Sequence, residues 1–180
     1  MTKQTSERPW HLRAAQARDV ASIHALICEL AAYERAAQEV VVTPEDLRKH
    51  GYGDRPRFLA WVVVEGPAPV DGQLSESEEV FGCALAYEKY STWKGPCLFL
   101  EDLIVRESQR GRGAGKALFE AVAAQAARAG CLRMEWQVLD WNAPSIAFYE
   151  GLGAELDPTW INGKLTGEAL SRYARMPVPR

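Results

Sequence analysis

Chemistry concentrates in one stretch of this 180-residue chain. An apolar run, Leu98-Phe99-Leu100, carries two acids, Glu101-Asp102, before it resumes as Leu103-Ile104-Val105. Then come Arg110-Gly111-Arg112-Gly113-Ala114-Gly115-Lys116, with three glycines at alternate positions. A strand that passes through a glycine loop into a helix start gathers backbone N–H groups and the positive end of the helix at one place. That arrangement holds phosphates. Two common phosphate loops are excluded. G-x-x-x-x-G-K-[ST] fails, because Arg110 stands where the first glycine belongs and Ala117 follows Lys116. G-x-G-x-x-G fails at Lys116. The stretch from Gln109 through Gly115 does carry the form Q/R-x-x-G-x-G/A.

About 30 residues on, Asn142-Ala143-Pro144-Ser145-Ile146-Ala147-Phe148-Tyr149 leads into Glu150-Gly151-Leu152-Gly153-Ala154. The two motifs, in this order and spacing, resemble the GCN5-related N-acetyltransferase superfamily. Further stretches look like its diamine (spermidine/spermine) N-acetyltransferase family. These are Glu29 to Glu34, Tyr90 to Gly95, Leu100 to Asp102 and Val138 to Asn142, and the resemblance spans nearly all of 12–175. Ser91-Thr92 and Leu139-Asp140 resemble the branch that acetylates thialysine, and the polyamine enzymes proper carry an acid near the position of Ser91.

The resemblance implies an acetyl-CoA-dependent transfer of acetyl to a primary amine of a small cation, within a ternary complex. It also implies a homodimer. Leu103, Ile104 and Val105 would offer backbone groups to the cofactor arm where their strand splays from the next. Arg110, Gly111, Arg112, Gly113, Ala114, Gly115 and Lys116 would hold the pyrophosphate, and Pro144, Ser145 and Tyr149 would stand near the cofactor. Asn142 either bonds the pantetheine arm or only caps its helix. Glu101 would face the amine, hold it as a cation and relay its proton through water. An alkylamine with a pKa near ~10 must lose a proton before it attacks. Tyr149, a phenol that stays protonated at neutral pH, would be the general acid to the leaving sulfur. Tyr33, Glu34, Ser91, Trp93, Glu135, Trp136, Gln137 and Asp140 complete the substrate side. Because Glu101 and Asp102 are neighbours in a strand, alternation places them on opposite faces, and Asp102 is assigned to structure. Two other functions stay open: acetylation of a protein N-terminus or lysine, and a non-catalytic CoA-binding module.

Composition restricts the field. The chain is 47% apolar and 25% charged, as expected of a soluble globular protein. A net charge of −3 and a pI near 5.7 argue against nucleic acid or an anionic membrane as main partner. No apolar run suits a membrane span and the polar start lacks a signal core, so a cytoplasmic protein is expected. Four cysteines and three histidines are scattered without ligand spacing, and no metal site is expected.

The elements that must position these residues follow from periodicity. Residues 1–9 are expected to be a disordered lead and 10–180 one acetyltransferase domain. Strands are predicted at Trp10–Ala15, Phe58–Val64, Val80–Tyr87, 98–105, Leu132–Leu139, Ala154–Trp160 and Ile161–Leu165. Helices are predicted from Val20 with Asp19 as cap, from Pro44 with Thr43 as cap, from Gly113 to Arg128, over 143–150, and as a turn or helix over Glu168–Ala174. Exposed loops are predicted over 65–79 and over Glu88–Pro96. The expected fold is α/β, with a mixed, mostly antiparallel sheet, a splayed central strand pair and flanking helices.

Overall fold

The computed structural model describes residues 9–69 and 78–177, so the expected lead before residue 9 and the middle of the 65–79 loop lie outside the described residues. The chain divides into two compact units, Met1–Gln137 and Val138–Arg180. The first holds a five-stranded sheet. Strands β1 (Trp10–Ala14), β2 (Leu59–Glu65), β3 (Val80–Ser91) and β4 (Gly95–Val105) form an antiparallel meander, and β5 (Met134–Glu135) lies parallel to β4.

Alternation along the central strands sorts side chains to two cores. Val62, Val64, Cys83, Leu85 and Ile104 face Val20, Ile23 and Leu26 of α1 (Val20–Tyr33) and Leu47 of α2 (Pro44–Tyr52). Val63, Phe81, Ala84, Ala86, Leu98 and Leu100 face α3 (Ala114–Arg128). That helix buries Ala114, Leu118, Val122 and Ala126, a repeat of four that keeps one stripe on the sheet. A fully buried leucine such as Leu118 contributes about 1.5–3 kcal/mol of transfer free energy, so this stripe anchors the helix start that follows the glycine loop.

The helix starts are built differently from one another. Thr43 and Asp46 form the reciprocal capping box expected ahead of Pro44. Asp19 stands at the cap position of α1, but its carboxylate accepts instead from the Gln16 backbone N–H and the Arg13 guanidinium.

Five elements differ from the sequence expectation. β3 runs on through Ser91, and the predicted 88–96 loop is a tight hairpin turn over 92–94, closed by Gly95 at φ 77. Ser91 Oγ accepts from the N–H groups of Trp93 and Lys94, which fixes that turn. The strand predicted over 132–139 shrinks to Met134–Glu135, because β4 pairs with it at only two positions. Residues 154–165 form no strand, since no sheet partner for them exists among the described residues. The second unit contains α4 (Ala143–Gly151) and α5 (Gly167–Ser171).

Candidate active site

The site grows from the C-terminal half of β4. Beside β5, only Leu98↔Met134 and Phe99↔Glu135 are paired. Past Phe99 that edge of β4 has no strand partner among the described residues, while the other edge stays on β3 as far as Val105↔Gly82. Alternate peptide groups of residues 100–105 therefore direct N–H and C=O away from β3. This is the expected splay, and Leu103, Ile104 and Val105 lie along it. Their side chains are occupied: Leu103 and Val105 pack on the α3-side core and Ile104 in the α1-side core. Only backbone is left to offer. Gly82 keeps the two strands close here, since a Cβ would stand 2.8 Å from the Ile104 carbonyl oxygen.

At the end of β4 the chain turns through Glu107–Gln109 into the glycine loop. Gly111 and Gly113 hold φ 81 and 80, a left-handed conformation that suits glycine, and a Cβ on either would meet nothing within 4 Å. The loop surface is thus open to a ligand. α3 starts directly after Gly113 with no side-chain cap, so the first-turn N–H groups of Ala114, Gly115 and Lys116 lack intrahelical acceptors. Lys116 is exposed and only loosely paired with Glu120 at 3.7 Å. Arg110 donates from Nε to the Val105 carbonyl at 3.1 Å and lies over the Tyr33 ring at 5.6 Å. Open backbone donors, a helix start and two cations fit a pyrophosphate.

The acids form the second part. Leu85 pairs with Asp102 and Ala86 with Leu100, so Glu101 is an extra residue, a β-bulge in β4. Leu98 and Leu100 face α3, and past the bulge so do Leu103 and Val105. The two residues between, Glu101 and Asp102, both fall on the α1 side. This corrects the expectation of opposite faces: the bulge inserts a residue and resets the alternation. Glu34, at the C-cap of α1, belongs to the same group. Burial pushes the Asp102 carboxyl up to about 6, and the charges of Glu101 and Glu34 push it the same way. Burial also raises Glu34. Tyr87 is raised by burial and then by Glu101. No cation among the described residues forms an ion pair with Glu34, Glu101 or Asp102. Asp102, assigned to structure in the sequence, thus joins Glu34 and Glu101 in one acid group.

Residues 30–154 match the Acetyltransferase (GNAT) family. The chain belongs to that family. It is 36% identical over 167 residues to the thialysine N-epsilon-acetyltransferase of Mus musculus, covering 91% of this chain and 96% of the relative. The L-ornithine N5-acetyltransferase of Arabidopsis thaliana is 29% identical over 202 residues, covering 93% and 89%. Among solved structures, an integron cassette protein from the mobile metagenome of V. cholerae has a TM-score of 0.70 at 20% identity, covering 92% of this chain and 98% of its own. This GNAT chain is an N-acetyltransferase of the diamine and thialysine branch, and acetyl-CoA is the cosubstrate of its family.

Several residues expected at the GNAT site are engaged elsewhere. Arg112 is turned inward, away from the loop surface: Nη1 donates to Glu65 Oε1 at 2.5 Å and to Gln109 Oε1, with Phe81 beneath it. Glu135 pairs with Lys89 at 2.9 Å and Arg133 at 3.1 Å. Ser91, besides capping its turn, accepts from Arg133. Trp136 meets Phe119 of α3 edge-on at 5.3 Å and packs against the α3-side core. Trp93 lies exposed at the hairpin turn, and Gln137 is exposed at the end of the first unit.

The remaining expected residues lie in the second unit. Asn142 is buried and caps α4, its Oδ1 accepting from the Ser145 N–H at 3.3 Å, with Pro144 in the first turn. The cap is thus one role of Asn142. Tyr149 is buried in α4, its ring 5.2 Å from that of Phe148. Asp140 is exposed in the turn before α4.

Proposed function

We propose that this GNAT enzyme transfers acetyl from acetyl-CoA to the terminal primary amine of a small cation of the thialysine, diamine or polyamine-like class, by direct attack in a ternary complex. The observation that carries the reading is the acid group Glu34, Glu101 and Asp102, gathered on one side of β4 with no ion-pair partner among the described residues. Burial and then the charges of Glu101 and Glu34 raise the Asp102 carboxyl, and an incoming ammonium relieves that. The relatives named for thialysine and L-ornithine support a substrate that ends in such a group.

In this reading acetyl-CoA, when bound, supplies an activated acyl carbonyl. Gly111, Gly113 to Lys116 and Arg110 bind its pyrophosphate, and the free backbone of Leu103 to Val105 orients its arm. Asp102 and Glu34 hold the ammonium, with Tyr33 on the substrate side. Glu101, the exposed member, takes the amine proton through water. Tyr149 releases its phenolic proton from Oη toward the departing sulfur. The enzyme works as a cytoplasmic homodimer, for which the exposed Trp160, Ile161 and Leu165 offer apolar surface.

The test is release of free thiol from acetyl-CoA with a panel of thialysine, L-ornithine, diamines, polyamines, a neutral amine and lysine peptides. Cationic small amines should react fastest, and the neutral amine and peptides at least tenfold more slowly. Tight CoA binding with no thiol release from any amine would overturn the proposal.

A further inference from the structure

The glycine loop carries an arginine between its two left-handed glycines, yet that arginine does not reach for the ligand. Arg112 is only 11% exposed, against 60% for Lys116 in the same loop. Its guanidinium is held from three directions. Glu65, the last residue of β2, receives Nη1 at 2.5 Å and Nη2 at 3.4 Å, one bond to each carboxylate oxygen. Gln109, the residue at the start of the loop, accepts from the same Nη1. The Phe81 ring, fully buried in β3, lies 5.1 Å below the guanidinium carbon. Glu65 is itself anchored, since its N–H donates to the Glu79 carbonyl at 2.9 Å, and it is only 14% exposed.

From this geometry we propose that Glu65 is a positioning residue for the acetyl-CoA loop, acting through Arg112. Two-point pairing of a planar guanidinium with a carboxylate fixes orientation as well as distance. Glu65 thereby ties the middle of the loop to the end of the sheet. Gly111 and Gly113 are flexible by composition, and without the tie their N–H groups would have to be ordered by the ligand itself. With it they are ordered beforehand, which strengthens binding. The pair also neutralises Arg112, which leaves the attraction for phosphate to Arg110, Lys116 and the helix start. The inference rests on the reading of this loop as the pyrophosphate site.

The test is the dissociation constant of CoA, measured by titration calorimetry on the full chain, for wild type and Glu65→Gln. The amide keeps the shape and removes the charge that holds Arg112. The constant should rise about tenfold, with kcat at saturating acetyl-CoA within twofold. S-acetylpantetheine, which lacks the pyrophosphate, should show no matching rise in KM. A purely structural defect would weaken both donors alike and would overturn the proposal, as would unchanged CoA affinity in Glu65→Gln. If wild type itself fails to bind CoA, the loop reading fails instead. Should Glu65→Gln not fold, the double change Glu65→Leu with Arg112→Met decides, because it removes both charges of the pair together. It should raise the CoA constant by a similar factor, and unchanged affinity would overturn the proposal.

Discussion

Two groups of acids in the first unit are treated in opposite ways. At the β1 edge, Asp19 and Glu78 are buried and fully answered: Arg13 binds Asp19 at 2.7 and 2.8 Å and Glu78 at 2.7 Å, and Arg18 reaches Glu78 at 2.9 Å. On β4, Glu34, Glu101 and Asp102 are gathered with no ion-pair partner among the described residues. Burial pushes Asp19 up, but Arg13 and the Gln16 N–H hold it below its ordinary range, while burial pushes Asp102 up to about 6 and its neighbours add to that. An acid with a built-in partner is finished as structure. An acid cluster left without one is destabilising by itself, and it makes physical sense as a place for a cation from outside.

Arg13→Met should break the first group and have the largest effect. It leaves two buried carboxylates short of their main partner, at a cost of about 3–5 kcal/mol in unfolding free energy by urea denaturation. Acetylation per folded molecule should not change. Because Asp19 is held low, its stabilisation is complete at neutral pH and is lost as pH falls through its folded value. A loss under ~1 kcal/mol, the scale of an exposed pair, would erase the distinction drawn between the groups.

Glu101→Gln attacks the second group at its exposed member. Removing the proton acceptor should lower kcat/KM for the amine about 100-fold, within the range for general base groups. Stability should shift by no more than ~0.5 kcal/mol, as for other exposed positions. Thiol release against amine concentration, set beside a melting curve, reads both. An effect on stability with none on rate would place Glu101 with the structural acids.

The first group was half legible in the sequence, the second hardly at all. The meander, α1, α2 and α3 follow from periodicity, caps and glycines, and the glycine loop follows from three residues at fixed spacing. Asp19 also looked like a cap, but no local rule foretells that Arg13, six residues away, takes its carboxylate. The β4 bulge has no signature either: Glu101 is neither glycine nor proline, and only pairing with β3 shows that it is the extra residue. Alternation read through an unseen bulge then misplaces every side chain on one side of it. The pairing of Arg112 was hidden for a related reason. A cation in a phosphate loop looks like a ligand to phosphate until Glu65, 47 positions earlier, is found beside it. Gly95, by contrast, was a readable signal for the tight hairpin that replaced a predicted loop.

Asp102→Asn gives the sharpest test because its two effects have opposite signs. The folded-state pKa is raised from the ordinary 3.8 to about 6. Between those values the folded chain holds a proton that the unfolded chain has lost, so stability falls as pH rises through this window, and the ionised carboxylate is a standing cost above it. Asparagine has the same shape and no charge to desolvate. At pH 8 the variant should therefore be more stable than wild type by about 1–3 kcal/mol, and the gain should shrink as pH falls through this window and vanish only well below the ordinary 3.8, where wild type is protonated in both states. The same change removes one of the charges offered to the ammonium, so the amine KM should rise about tenfold. In wild type, kcat/KM should fall as pH drops through about 6, and in the variant that limb should weaken. A variant that is less stable at pH 8 would mean Asp102 has a partner after all, and its place beside Glu101 would then be structural, like that of Asp19 beside Arg13.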